Sequence, residues 1–219
     1  MSAVKYPYIF VITYGRSGST LLQGLLNAIP GYCIRGENNN VVNAYKLIHE
    51  RLSLAHKKFS QIGRTPADPW YGIDGFKEDR HLDALRHLAL AQILQPPEDT
   101  RCIGFKEIRY APNMVGDLSA YLDFMRKLFP GAGFIFNSRN LDSVIASGWW
   151  KNQANPREYL EAFEANMRTA FEKHSAHSCW VHYDDYVADP SALQGLFDFL
   201  GEPFDLSLVM DTLATRHSG

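Results

Sequence analysis

The sequence predicts a three-layer α/β fold with a mainly parallel central sheet and a helical insertion. Strand-like and helix-like segments alternate along most of the chain. The strand-like segments are continuous apolar runs, as expected for strands that are buried on both faces of a parallel sheet. A chain of 219 residues is long enough for helices to cover such a sheet, so we expect residues 1–219 to form one domain.

The first strand is predicted at Tyr8–Thr13, where "YIFVIT" is apolar and rich in β-branched residues. A leucine-rich helix follows from Ser19 or Thr20, and Pro30 is expected to end it. Tyr32–Glu37, "YCIRGE", reads as a short second strand that leads into a polar turn.

Residues 38–100 have a looser pattern and are expected to be an insertion that shapes a substrate pocket. The runs "VVNAYKLIHERLSLAHKKF" and "HLDALRHLALAQIL" predict two helices, separated by a loop that contains proline and glycine. The stripe formed by Leu82, Leu85, Leu88 and Leu90 is expected to belong to the core.

After residue 100 the regular alternation returns. Strands are predicted at "CIGFKEI", "GFIFNSR" and "CWVHY". Helices are predicted at "LSAYLDFMRKLF", "DSVIASGWWK", "REYLEAFEANMRTAFEKH" and "SALQGLFDFL", the last ended by Gly201. These segments supply the remaining strands of the predicted sheet and the helices that cover it.

Composition excludes several classes of function. The formal net charge of -2 gives no global basic field, so we expect no nucleic-acid partner, and any anion site must be local. Cys33, Cys102 and Cys179 are widely spaced, which favours buried thiols over a zinc site or a disulfide framework. No apolar run reaches the length of a membrane span, so a cytoplasmic location is expected.

The turn between the first strand and the first helix predicts a local anion site. The backbone N–H groups at the start of a helix lack partners, and the helix dipole is positive there. Glycines allow the backbone to approach a ligand closely, while hydroxyl and guanidinium groups add donors. The candidate binding residues are Gly15, Arg16, Ser17, Gly18, Ser19 and Thr20. An ordinary glycine turn with a serine cap is the alternative.

This turn departs from the phosphate loop of kinases and NTPases. Ser19 stands where that loop has its lysine, and Thr13 stands where it has its first glycine. The cation has moved to Arg16, and no predicted strand ends in the aspartate that would hold Mg²⁺. A kinase with a degenerate loop is therefore the second hypothesis, and a nucleotide-binding regulatory module is the third.

The turn resembles the 5′-phosphosulfate loop of sulfotransferases that use 3′-phosphoadenosine 5′-phosphosulfate (PAPS), in particular the tyrosylprotein and bacterial branches. The stretch "FIFNSRNLDSVIASGWW" resembles the 3′-phosphate motif of that family, with Arg139 after a strand and Ser147 eight residues later. Asn140 can cap a helix on which Ser143 and Ser147 share a face. The resemblance covers about residues 8–37 and 102–205. It implies a P-loop-type fold and sulfuryl transfer without a metal.

The resemblance also implies catalytic roles. Arg16 would neutralise the bridging oxygen as the bond to sulfur breaks, Glu37 would be the general base, and Lys106 would steady the sulfuryl group. Glu107 is the reserve candidate for the base, although strand alternation turns it away from Lys106. The alternatives are a turn carboxylate at Glu37, ion-paired with Arg35, and a structural lysine at Lys106.

The sequence defines less well which residues would contact the adenosine of PAPS and which would contact the acceptor. Tyr183, Arg216 and His217 are candidates to enclose the adenosine. The Arg-Lys-Gly loop that closes over the 3′-phosphate in the cytosolic members is not found in "LATRHSG", where Arg216 is a substitute candidate. Trp70 and Tyr71 could form an acceptor wall, although a hydrophobic anchor is favoured. By analogy the acceptor hydroxyl is expected on a saccharide, with a small metabolite or a peptide tyrosine as alternatives.

Overall fold

A computed structural model describes residues 4–214. Its central sheet has five parallel strands in the order β2-β3-β1-β4-β5. The strands are β1 Tyr8–Ile12, β2 Tyr32–Arg35, β3 Cys102–Glu107, β4 Ala132–Ser138 and β5 Ser178–His182. The predicted α/β fold with a parallel central sheet is confirmed. Helices flank this sheet.

In the first half of the chain the helices lie close to their predicted positions. In the second half short 3₁₀ turns interrupt or precede several of the predicted helices. The α-helices are α1 Ser19–Ala28, α2 Val41–Phe59, α3 Glu78–Ala89, α4 Pro112–Val115, α5 Leu118–Leu128, α6 Leu141–Ile145, α7 Pro156–Lys173, α8 Tyr183–Ala188, α9 Gln194–Leu200 and α10 Leu206–Ala214. Short 3₁₀ turns lie at Ile73–Gly75, Gly148–Asn152, Ser175–His177 and Pro190–Leu193, and a π turn lies at Leu90–Leu94. Among residues 4–214, no helix is both long and apolar enough to cross a membrane.

Side chains of β1 alternate between two apolar layers, because successive residues of a strand point to opposite faces. Phe10 and Ile12 join a cluster that includes side chains of α2, α3, α5 and α7. Ile9 and Val11 join a second cluster with side chains of α1, α9 and α10. The sheet is thus buried on both faces, which explains why its strands read as continuous apolar runs.

Two local predictions are wrong. Leu88 is 45% exposed, so it does not belong to the core as Leu82 and Leu85 do. The segment "DSVIASGWWK" is not one helix, because α6 ends at Ile145 and a 3₁₀ turn starts at Gly148, whose φ is 54°. Ser143 and Ser147 therefore do not share a helix face.

Candidate active site

A cavity of about 510 Å³ opens at the carboxyl ends of the strands. In parallel α/β sheets this edge is the usual place for a ligand. Many of the residues singled out from the sequence line it: Gly15, Arg16, Gly18, Ser19, Thr20, Glu37, Lys106, Arg139 and Tyr183. The topology explains this convergence, because β1, β3 and β4 are neighbours whose following loops meet at one edge.

The loop between β1 and α1 has two left-handed residues. Gly18, with φ of 77°, precedes the first residue of α1, and no side chain caps that helix. Its N-terminal N–H groups are therefore available to an anion. The other left-handed residue is Arg16, with φ of 70°. Gly15 is needed for a different reason, since a Cβ there would lie 2.2 Å from the Trp149 ring.

A buried polar network holds this loop against β4. The Thr13 and Ser17 hydroxyl oxygens lie 2.7 Å apart, and Thr13 also donates to the backbone oxygen of Asn137 at 2.7 Å. The Asn137 amide donates to the backbone oxygen of Ser17 at 3.0 Å, and Trp150 Nε1 donates to that of Gly15 at 2.9 Å. The Ser17 hydroxyl is thus committed to the fold and does not line the cavity, contrary to the expectation that it would be a ligand donor.

The guanidinium groups of Arg16 and Arg139 border the same cavity. A nitrogen of Arg139, Nη1, donates to the backbone oxygen of Arg16 at 3.0 Å, and its guanidinium lies 4.5 Å from the centre of the Tyr183 ring. The Arg139 Nε atom is buried and has no hydrogen-bond partner. An unpaired buried donor is costly, so this group is suited to an anionic ligand.

Ser147 lies on the Arg16 side of the site. Its hydroxyl accepts a hydrogen bond from Arg16 Nε at 2.9 Å. Ser147 therefore orients Arg16, whereas the sequence had paired it with Arg139. The break in the helix before Gly148 is what places it there.

Glu37 supplies a carboxylate to the cavity, and it lies in the loop after β2. Its Oε1 atom is 2.7 Å from Lys106 Nζ, and its Oε2 atom is 3.0 Å from Arg109 Nη1. Burial alone would raise the pKa of Glu37, but hydrogen bonds and charge from Lys106 and Arg109 outweigh it and hold this pKa below its usual value. The alternative in which Glu37 pairs with Arg35 is not found, because Arg35 donates to the backbone oxygen of Leu94 instead.

Glu107, the reserve candidate, is fully buried and does not line the cavity. Its carboxylate accepts hydrogen bonds from the backbone N–H groups of Asn38 and Asn40, at 3.1 and 2.8 Å. It also accepts a hydrogen bond from Arg109 Nη1 at 2.9 Å. Glu107 therefore fixes the loop that carries Glu37.

Sequence reasoning missed several residues that hold the site together. Asn137 is a polar residue inside an apolar strand, which was a visible signal of a buried hydrogen bond. Trp149 and Trp150 follow the second basic motif directly, and both pack on the loop at Gly15. No local sequence pattern indicated that Arg109 would pair with Glu37, because this contact depends on where the loop after β2 lies.

The remaining predicted residues lie away from the cavity or outside the description. Trp70 stacks on Phe59 with ring centres 4.1 Å apart, so it is a hydrophobic anchor as favoured from the sequence. Arg216 and His217 lie outside the described residues. Within residues 4–214, no group of three or more histidine, cysteine or acidic side chains could hold a metal ion.

Solved structures with this fold include two sulfotransferase domains. A sulfotransferase domain from the olefin synthase of Synechococcus PCC 7002 is 22% identical, with a TM-score of 0.55 over 98% of this chain and 80% of the other. A sulfotransferase domain from the curacin biosynthetic pathway is 18% identical, with a TM-score of 0.56 over 99% of this chain and 79% of the other. No curated protein matches the chain.

A family model supplies the assignment that the structures alone do not. The sulfotransferase family model matches residues 7–206, which include the β1–α1 loop, Glu37, Lys106 and Arg139. The resemblance noted over about residues 8–37 and 102–205 thus extends through the segment between these two ranges. This chain belongs to the sulfotransferase family.

Proposed function

We propose that this enzyme transfers a sulfuryl group from PAPS to a hydroxyl acceptor. One observation carries the proposal: Arg16 and Arg139, which follow the neighbouring strands β1 and β4, border a single cavity with the uncapped start of α1. A ligand with phosphate groups at two positions would contact both arginines there. Family membership supports sulfuryl transfer in general.

The residues present fit a bisphosphorylated adenosine. The cavity of about 510 Å³ lies within the range of small-molecule sites, which is about 300–1,000 Å³. The backbone of the β1–α1 loop and the hydroxyls of Ser19 and Thr20 would hold the 5′-phosphate. The unpaired Nε of Arg139 would bind the 3′-phosphate, with Tyr183 beneath its guanidinium. Arg216 is a further candidate for the adenosine end.

PAPS would supply the activated sulfuryl group, and the side chains around it supply charge and position. Arg16, held by Ser147, would neutralise charge on the phosphate oxygen from which sulfur departs. Lys106 would stabilise the sulfuryl oxygens. Because such transfers are loose and in line, positioning and electrostatic stabilisation account for most of the expected rate enhancement.

Glu37 would accept the proton of the acceptor hydroxyl. The cations at Lys106 and Arg109 keep its pKa low, so the carboxylate is deprotonated at neutral pH and ready to accept. Glu107 would act through Glu37, since it fixes the loop and does not face the cavity. Through that loop the insertion at 38–100 would influence the acceptor side of the site.

The kinase hypothesis has weaker support. Among the described residues that line the cavity, Glu37 is the one carboxylate, and it is paired with Lys106 and Arg109. Sulfotransferase membership also disfavours phosphoryl transfer. The regulatory-module hypothesis predicts binding of a nucleotide without turnover on any acceptor.

A transfer assay separates these hypotheses. The protein is incubated with a pool of hydroxyl acceptors and either PAPS labelled in sulfur or ATP labelled in its terminal phosphate with Mg²⁺. We expect label to move from PAPS only, and the Arg16→Ala variant to lose that transfer. A matched control is Arg157→Ala, which removes an exposed arginine of α7. Transfer from ATP, or none from PAPS, would overturn the proposal.

A further inference from the structure

A second cavity of about 380 Å³ adjoins the first. The two cavities share Gly15, Ile108 and Trp149, so the Trp149 ring forms part of both walls. The Trp149 ring packs closely on Gly15. A molecule seated in the second cavity can therefore reach the site where Glu37 and Lys106 lie.

The lining of the second cavity is largely apolar and aromatic. Beyond the shared residues it includes Met114, Trp150, Ala154, Pro156, Tyr159 and Phe163. Met114 and Trp149 are 46% and 47% exposed, so both present apolar surface at the cavity. Apolar surface of this kind gains free energy when an apolar ligand covers it.

Two of the polar groups at the wall, on Arg109 and Tyr14, are already engaged. Arg109 is the charged side chain among the described lining residues, and it is paired with Glu37 and Glu107 at 3.0 and 2.9 Å. The Tyr14 hydroxyl donates to Glu164 at 2.5 Å and accepts from the Arg139 backbone N–H at 2.9 Å. Gln153 and Tyr159 add an amide and a hydroxyl to the lining, which are few partners for the many hydroxyl groups that a saccharide would bury there.

Arg109 also connects this cavity to the reacting groups. It lines the second cavity while its guanidinium contacts the Glu37 carboxylate, which lines the first. An acceptor whose body fills the second cavity would direct its hydroxyl past Trp149 toward Glu37.

Resting on the proposed function, we propose that the second cavity is the acceptor subsite and that the acceptor is an uncharged alcohol with an apolar body the size of a ring. The aromatic side chains provide flat contacts for that body. The absence of a free charge among the described lining residues selects against charged acceptors. This choice replaces the saccharide that family analogy favoured from the sequence.

The test measures binding before turnover. Phenylpropanol and methyl glucoside serve as apolar and polar alcohol probes, and saturation-transfer NMR reports their binding to the protein with 3′-phosphoadenosine 5′-phosphate (PAP) present. Met114→Glu places a charge at the cavity, and we expect it to weaken phenylpropanol binding about tenfold. Leu54→Glu is the matched control, because Leu54 is 50% exposed and lies on α2, away from this cavity.

A second variant tests shape instead of charge. Ala154 is exposed at the cavity in the loop before α7, so Ala154→Trp can fill space there without disturbing the core. We expect Ala154→Trp to abolish phenylpropanol binding and Ala154→Ser to preserve it, with PAP binding equal in both. Sulfate transfer to phenylpropanol should likewise be lost in Ala154→Trp and kept in Ala154→Ser.

The failures are distinguishable. PAP binding without phenylpropanol binding, or phenylpropanol binding that neither Met114→Glu nor Ala154→Trp reduces, would overturn the subsite alone. Preferred binding of methyl glucoside that Ala154→Trp blocks would also overturn it and restore the saccharide. A wild-type protein that does not bind PAP would overturn the proposed function and the acceptor assignment with it.

Discussion

Arg16 combines a strained backbone with the position expected of the main catalytic cation. A left-handed conformation costs a residue other than glycine about 1–2 kcal/mol, and such strain persists where the surrounding structure enforces it. Here the loop is fixed by Thr13, Asn137 and Trp150, and the Arg16 side chain is held by Ser147. The strain at Arg16 is therefore what we expect of a residue whose charged side chain is needed for the reaction.

This view predicts different effects of two substitutions at Arg16 on stability and on rate. Arg16→Ala and Arg16→Gly should both lower the rate of transfer about a hundred- to a thousand-fold, since each removes a donor at developing charge. Arg16→Gly should be more stable than Arg16→Ala by about 1 kcal/mol, because glycine accepts the left-handed backbone. Urea denaturation and single-turnover rates measure the two effects. Full turnover by Arg16→Ala would contradict the role.

Glu37 leads to a prediction about pH. A base must be deprotonated to act, so activity should fall as pH drops through the pKa of Glu37. Since Arg109 helps to hold that pKa low, Arg109→Met should raise it and move the acidic limb of the kcat profile to higher pH. The same substitution at exposed Arg157 is the control. An acidic limb that stays in place in Arg109→Met would argue against Glu37 as the base.

At the scale of elements, the parallel strands explain why the site could be located from sequence. Apolar runs predicted each strand, and the carboxyl ends of neighbouring strands then brought Arg16, Lys106 and Arg139 together. The sequence did not reveal the break before Gly148 or the inward turn of the Ser17 hydroxyl. Both depend on tertiary contacts, with Arg16 and Thr13 respectively, that no local pattern encodes.

The close packing of β3 against β1 depends on one glycine. A Cβ at Gly104 would lie 1.5 Å from the backbone oxygen of Ile9. Gly104→Ala should therefore destabilise the fold by about 1–3 kcal/mol, the usual cost of overpacking. Gly195→Ala is the matched control, because a Cβ there meets nothing within 4 Å on α9, and it should stabilise by up to about 1 kcal/mol. Urea denaturation compares them, and equal stabilities would refute this explanation.

At the scale of the whole molecule, two cavities at one edge of the sheet would divide the reaction between donor and acceptor. The donor side depends on β1 and β4, whose strands and basic residues were readable in the sequence. The acceptor side depends on the 3₁₀ turn at Gly148–Asn152, on α4 and on the start of α7. These segments meet only in the folded chain, so sequence analogy led to the expectation of a saccharide, whereas we propose an apolar alcohol from the lining of the cavity.

The central claim is that Arg16 and Arg139 bind one adenosine through phosphates at two positions, with Arg139 on the 3′-phosphate. Calorimetric titration of PAP and of adenosine 5′-phosphate into the wild type and Arg139→Ala tests it, because the two ligands differ only in that phosphate. We predict that Arg139→Ala weakens PAP binding at least about tenfold, as expected for a lost charged hydrogen bond, and leaves adenosine 5′-phosphate binding unchanged. Equal weakening of both ligands, or of neither, would contradict the account.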